Sequence, residues 1–120
     1  MLKQKPIRDK KYLRFLHDIG VCCNIPLGLV CRGDICGHHE NKPMEGTMGA
    51  KVSDNQAVPL CFECHLRRHI IGRKAFWGDR TPLELADALW KIWSTKGMPY
   101  QSKLELGRQK VLKWRIHGRI

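Results

Sequence analysis

The chain has 120 residues, 42% hydrophobic and 28% charged, a composition that fits one globular domain and excludes a disordered polyelectrolyte. Lys and Arg number 22 against 11 Asp and Glu, a formal charge of +11 and a pI near 9.7, so a polyanion is the expected partner and nucleic acid leads. No run approaches the roughly 18 apolar residues of a membrane span, and MLKQKPIRDKK has no apolar signal core; the cytoplasm, with reduced cysteines, is the expected compartment.

Residues 1–11 carry Lys3, Lys5, Arg8, Lys10 and Lys11 around Pro6 and read as a basic flexible arm. Tyr12, Phe15, Leu16 and Ile19 then recur at helical spacing, and Gly20 is placed to cap that helix. From Val21 to Gly37 the chain has four cysteines, Pro26 and three glycines, too little apolar mass to hold itself in place without a staple. Glu40 to Asn55, with Pro43, Gly46 and Gly49, reads as a long loop between two short strands. Ala57–Leu60 suits the second strand, which Pro59 confines to an edge or an end.

A helix is expected over Phe62–Ile71, with Phe62, Leu66, His69 and Ile70 on one face and Gly72 ending it. Thr81, Pro82 and Glu84 form a helix start, Thr81 capping and Glu84 reaching back. That helix is expected to run to about Lys96, with Leu85, Ala88, Leu89 and Ile92 inward and Trp93 beside them. Gly97 and Pro99 stop it, and residues 98–120 read as a basic amphipathic tail. Trp77, Trp90 and Trp93 are expected in the core.

Cys61-Phe62-Glu63-Cys64 has the spacing at which two thiolates meet one zinc ion. Two further thiolates would complete a tetrahedral structural site, and spacing alone leaves Cys22, Cys23, Cys31 and Cys36 open as donors. His65 and His69 are four apart, so a helix places both imidazoles on one face, in reach of one ion. Adjacent His38 and His39 point to opposite sides of a strand, which implies separate roles: one joins the helical pair on a metal, the other faces the substrate as a general base. His17 and His117 stand outside both groups.

Gly37-His38-His39, Met48-Gly49-Ala50-Lys51-Val52-Ser53-Asp54 and Pro59-Leu60-Cys61-Phe62-Glu63-Cys64-His65 with His69 together resemble the phage and prophage HNH endonucleases of the YbcO-like and Ref-like kind. The resemblance implies an α+β fold, a zinc-stapled ββα-metal core within residues 12–97 and flanking helices. By position it implies His39 as general base and His38, His65 and His69 as ligands of a catalytic metal. The middle motif residue falls among Asp54, Asn55 and Gln56, with Asp54 or Asn55 preferred. It also favours Cys23 and Cys31 as partners of Cys61 and Cys64 at the structural zinc.

The implied activity is metal-dependent hydrolysis of DNA phosphodiester bonds, in a phage-type DNA-processing or recombination role. Three imidazoles bind zinc, nickel or copper more tightly than magnesium, yet magnesium or manganese is expected to support turnover. Arg67, Arg68, Arg73 and Lys74 are expected to hold the DNA backbone. The rival reading is a non-catalytic zinc-containing DNA-binding module, and a third is an RNA-directed nuclease.

Overall fold

The computed structural model describes residues 6–24, 31, 33–40 and 53–119. Its elements run α1 (Lys10–Ile19), β1 (Ile35–His39), a 3-10 turn (Asp54–Gln56), β2 (Ala57–Cys61), α2 (Phe62–Ile71), α3 (Arg73–Trp77), α4 (Pro82–Ser94) and α5 (Tyr100–His117). The architecture is α+β: β1 and β2 pair antiparallel, with Ile35 opposite Cys61 and His39 opposite Ala57, and α1, α2 and α4 pack on the pair. No helix among the described residues is long and apolar enough to cross a membrane. The loop expected between the strands falls mostly on 41–52, outside the described residues.

The first helix forms as its periodicity requires. Asp9 Oδ1 accepts the Tyr12 N–H at its start, Gly20 closes it in the left-handed region at φ 72°, and Tyr12, Phe15, Leu16 and Ile19 are all buried. It sits directly on β1: a Cβ at Gly37 would lie 2.8 Å from Leu13 Cδ2, so a larger residue before His38 would push that side chain aside. All five residues of β2 are buried, and Pro59 stands opposite Gly37 in a sheet that has two strands among the described residues.

Three expectations change. The apolar face of α2 turns outward, with Phe62 55%, Leu66 41% and Ile70 81% exposed, while Cys64 is the residue of that helix that is buried. Polar groups at its start and on its inner side hold the helix instead. Thr81 does not cap α4; its N–H and hydroxyl both donate to the Gly118 carbonyl, at 3.0 and 3.4 Å, which ties the start of α4 to the end of α5. On α4 the buried residues are Leu85, Ala86 and Leu89, with Ala88 and Ile92 half-buried.

Both terminal segments join the body of the fold. In residues 98–120, α5 buries Leu104, Gly107, Val111 and Trp114 and packs on α1 and α4. Arg108 Nε donates to the Ile19 carbonyl at 3.0 Å and Lys103 Nζ to the Trp93 carbonyl at 2.6 Å, so two of its cations satisfy the ends of neighbouring helices. Of residues 1–11, the described part is pinned to the turn before β2: Ile7 N–H donates to Ser53 Oγ at 3.0 Å, and Asp54 N–H donates to the Ile7 carbonyl at 2.9 Å. A basic sequence does not reveal such backbone partners.

Gly107 of α5 faces α1 closely. A Cβ at Gly107 would already stand 3.0 Å from Ile19 Cδ1 and 3.1 Å from Phe15 Cζ. Gly107→Val is expected to force α5 from α1 and destabilise the chain by about 1–3 kcal/mol, read by urea unfolding followed by circular dichroism.

Candidate metal centres

Among the described residues, two groups of side chains bring metal-ligating atoms together. Cys22, Cys31, Cys61 and Cys64 offer sulfurs that all lie within 4.8 Å of one another, and His38, His65 and His69 offer ring nitrogens that do the same. Each group could hold a metal ion.

The thiol group joins the segment after α1 to the β2–α2 junction. Cys61 ends β2 and caps α2, its Sγ accepting the Cys64 N–H at 3.4 Å, so both sulfurs of the Cys-x-x-Cys pair face one point. Cys31 Sγ lies 3.9 Å from Cys64 Sγ, and Asn24 Nδ2 donates to Cys64 Sγ at 3.3 Å. The fourth sulfur belongs to Cys22 and not to the expected Cys23. The Cys23 N–H donates to the Pro59 carbonyl at 2.8 Å, and its own thiol is fully buried in the core, which leaves Cys22 facing the cluster. Cys36 stands apart, its Sγ 3.5 Å from the Leu60 carbonyl.

The chemistry of this donor set fits a cation. Burial and the neighbouring Cys64 raise the Cys31 thiol to about 11, and Cys64 itself is raised by its hydrogen bond with Cys22 and by burial. The Cys31 and Cys64 thiols therefore resist ionising alone, whereas a divalent ion would displace their protons and hold the thiolates.

The histidine group follows from strand alternation and helix spacing. His38 on β1 faces α2; its Nδ1 lies 2.9 Å from His65 Nδ1, and His65 Nε2 lies 3.2 Å from His69 Nε2. Burial lowers the pKa of His65, and the charges of His38, His69, His39 and Arg68 add to the effect. That favours the unprotonated ring a metal ligand needs.

Behind His38 lies a residue the sequence reading passed over. Glu40, 1% exposed, sits 3.3 Å from His38 Nε2, accepts from Arg68 Nε at 3.0 and 3.2 Å and from Arg68 Nη2 at 3.1 Å, and also accepts from Trp77 Nε1. Burial alone would raise its pKa, but the hydrogen bonds from His38, Arg68 and Trp77 outweigh that and hold it at about 2. An ionised carboxylate only accepts, so His38 Nε2 carries the proton and Nδ1 is left for a metal. The available signal was its register: on a strand, positions 38 and 40 share a face.

The same geometry reassigns Arg68. Expected at the DNA backbone, it is the clamp on Glu40 and is 15% exposed, while Arg67, Arg73 and Lys74 stand exposed.

His39 turns to the other side of β1. Its Nε2 lies 2.8 Å from Asp54 Oδ1, and the ring is 34% exposed. Asp54 is buried and takes a second bond from the Asp9 N–H at 2.7 Å, with Arg8 Nη1 at 3.5 Å. Burial pushes its carboxyl up, and the His39 bond, the Asp9 N–H and the charges of His39 and Arg8 more than reverse this, leaving its pKa lowered. Ionised Asp54 therefore accepts, and His39 Nδ1 has no hydrogen-bond partner among the described residues. Of the three candidates for the middle motif position, Asp54 is bonded to His39. Asn55 Oδ1 is buried with no hydrogen-bond partner among the described residues, and the Gln56 carbonyl accepts the Glu40 N–H at 3.0 Å.

Comparisons with protein-family models, curated proteins and solved structures find no match.

Two measurements check these assignments. Cys22→Ala is expected to lose the metal bound by the thiol cluster and Cys23→Ala to retain it, read as zinc per chain by elemental analysis; equal loss from both would return the fourth thiol to doubt. For Asp54, the folded pKa lies below the unfolded one, so its stabilisation is present above about pH 4 and is lost as pH falls through the lowered value. Asp54→Asn should be about 1–3 kcal/mol less stable than the parent at pH 7, with the gap closing in acid, as measured by urea titrations across pH.

Proposed function

We propose that the chain is a metal-dependent endonuclease of the HNH type that hydrolyses DNA phosphodiester bonds, with β1, β2 and α2 forming a ββα-metal core. The observation that carries this reading is the division of labour on β1. His38 turns toward His65 and His69, and its neighbour His39 turns toward Asp54, half-exposed with one ring nitrogen unbonded among the described residues. A merely structural site has no use for an oriented, solvent-reaching imidazole beside its ligands.

His38, His65 and His69 would hold a divalent cation, and when bound it supplies charge stabilisation at the phosphoryl and leaving oxygens. Asp54 orients the His39 ring and stabilises it once charged. His39 Nδ1 takes a proton from water, the water oxygen bonds to phosphorus, and the bond to the leaving ester oxygen breaks. Glu40 keeps the proton on His38 Nε2, and Arg68 with Trp77 keeps Glu40 ionised. Magnesium or manganese is the expected working ion, although three imidazoles also suit zinc or nickel. Cys22, Cys31, Cys61 and Cys64 would hold a separate structural zinc that fixes the start of α2.

Exposed Arg67, Arg73 and Lys74 surround the outer side of α2 and α3 and suit phosphate contacts. With a chain charge of +11, binding should weaken steeply with salt.

A plasmid-nicking assay with added Mg²⁺ or Mn²⁺ decides the matter. His39→Ala is expected to lower the rate by about 10²- to 10⁴-fold with circular dichroism and zinc content unchanged. Undiminished cutting by that variant removes the hydrolase reading, and absence of cutting by the parent leaves the zinc-containing DNA-binding module. Oligonucleotides of matched DNA and RNA sequence separate the two nucleic acids as substrates.

A further inference from the structure

A divalent ion held by four thiolates leaves about two negative charges in excess. Cys61 and Cys64 are buried, 1% and 7% exposed, so water reaches little of that charge and groups of the protein have to meet it. The described residues supply a donor and a cation next to Cys64. Asn24, itself 7% exposed, donates from Nδ2 to Cys64 Sγ at 3.3 Å, and its Oδ1 accepts from Arg80 Nη1 at 2.6 Å. A guanidinium only donates, so the amide oxygen has to face Arg80 and the amide N–H has to face the sulfur.

Arg80 is held in one place. Its Nε donates to the Trp77 carbonyl at 2.9 Å and its Nη2 to the Phe76 carbonyl, at the end of α3, so each of its three guanidinium nitrogens is engaged. The guanidinium carbon stands 5.1 Å from the Trp77 ring centroid, 5.8 Å from that of Phe76 and 6.0 Å from that of Trp114. Gly118 leaves room for its stem: a Cβ there would lie 2.7 Å from Arg80 Cγ. Burial works against the charge on Arg80, while the sulfurs of Cys23, Cys64 and Cys22 favour it.

We infer that Asn24 and Arg80 are positioning residues of the thiol centre: Asn24 gives the Cys64 sulfur a hydrogen bond, and Arg80 orients that amide and offsets the negative charge of a metal held by the thiolates. The inference rests on the reading of the four thiols as a metal site and adds to it what decides how firmly the ion is kept. A thiolate that accepts a hydrogen bond beside a fixed cation is less basic, so a proton or a competing chelator displaces it from the metal less readily. A pair that served only to satisfy each other in the interior would leave the electrons of the sulfur unchanged.

The test loads the full chain with Co²⁺ and follows the near-ultraviolet thiolate-to-cobalt charge-transfer band, which reports the thiols and not the histidines. Asn24→Asp keeps the shape and the acceptor for Arg80 but loses the N–H; Arg80→Met keeps part of the apolar stem but loses the charge and the fork. Each is expected to move the band to longer wavelength and to lose it to excess EDTA roughly tenfold or more faster than the parent, with circular dichroism unchanged. Arg80→Lys, which keeps the charge without the fork, should fall between. Gly107→Val weakens the fold away from this site and should leave the band position where the parent has it. A band and release rate equal to the parent's in Asn24→Asp, or faster release with no band shift in either variant, overturn the inference and leave the metal site standing. A parent chain in which Co²⁺ raises no thiolate band overturns the metal reading and this inference with it.

Discussion

A carboxylate taken out of water has to be met by donors, and Glu40 is met by three from three different elements: His38 on β1, Arg68 on α2 and Trp77 on α3. Removing one partner from such a buried group typically costs about 3–5 kcal/mol, so the arrangement tolerates little drift. One buried charge thereby sets the distance between the strand that carries one histidine of the cluster and the helix that carries the other two. It also fixes the tautomer of His38.

That constraint explains how α2 stays in place with its apolar residues facing out. A helix with Phe62, Leu66 and Ile70 exposed cannot be held by hydrophobic burial. Cys61 and Cys64 hold its first turn in the thiol cluster, and Arg68 holds its inner side on Glu40. The imidazoles of His65 and His69 are then carried at one edge of the held face, near His38. The apolar core lies elsewhere, where α1, α4 and α5 bring Tyr12, Phe15, Leu89 and Trp114 together behind the sheet.

The second histidine of β1 depends on parts of the chain far from it in sequence. Asp54 is bonded by the backbone at the start of α1, and Asp9, which supplies that N–H, also caps α1 and accepts from Trp93 Nε1 at 3.0 Å. The orientation of His39 is therefore tied through Asp54 to the packing of α1 on α4. Strand alternation accounts for the two directions of His38 and His39, but only this network gives the outward one a rigid partner.

Local order was legible in the residues themselves. Helical spacing located α2 over its observed range and α1 to within two residues of its start, and the Cys61–Cys64 and His65–His69 spacings announced side chains that meet; each is a relation among residues about a turn apart, where backbone geometry alone dictates the outcome. Spacing could not choose Cys22 over Cys23, because that choice depends on the Cys23 N–H reaching the Pro59 carbonyl across the fold. Nor could it show that Arg68 serves Glu40, that Asp54 takes its second bond from Asp9, or that α5 is core, since all of these join residues tens of positions apart. Periodicity states that a face is apolar without stating which side it turns to. For α2 the thiol cluster and a buried carboxylate decided that, and only the tertiary structure brings those together.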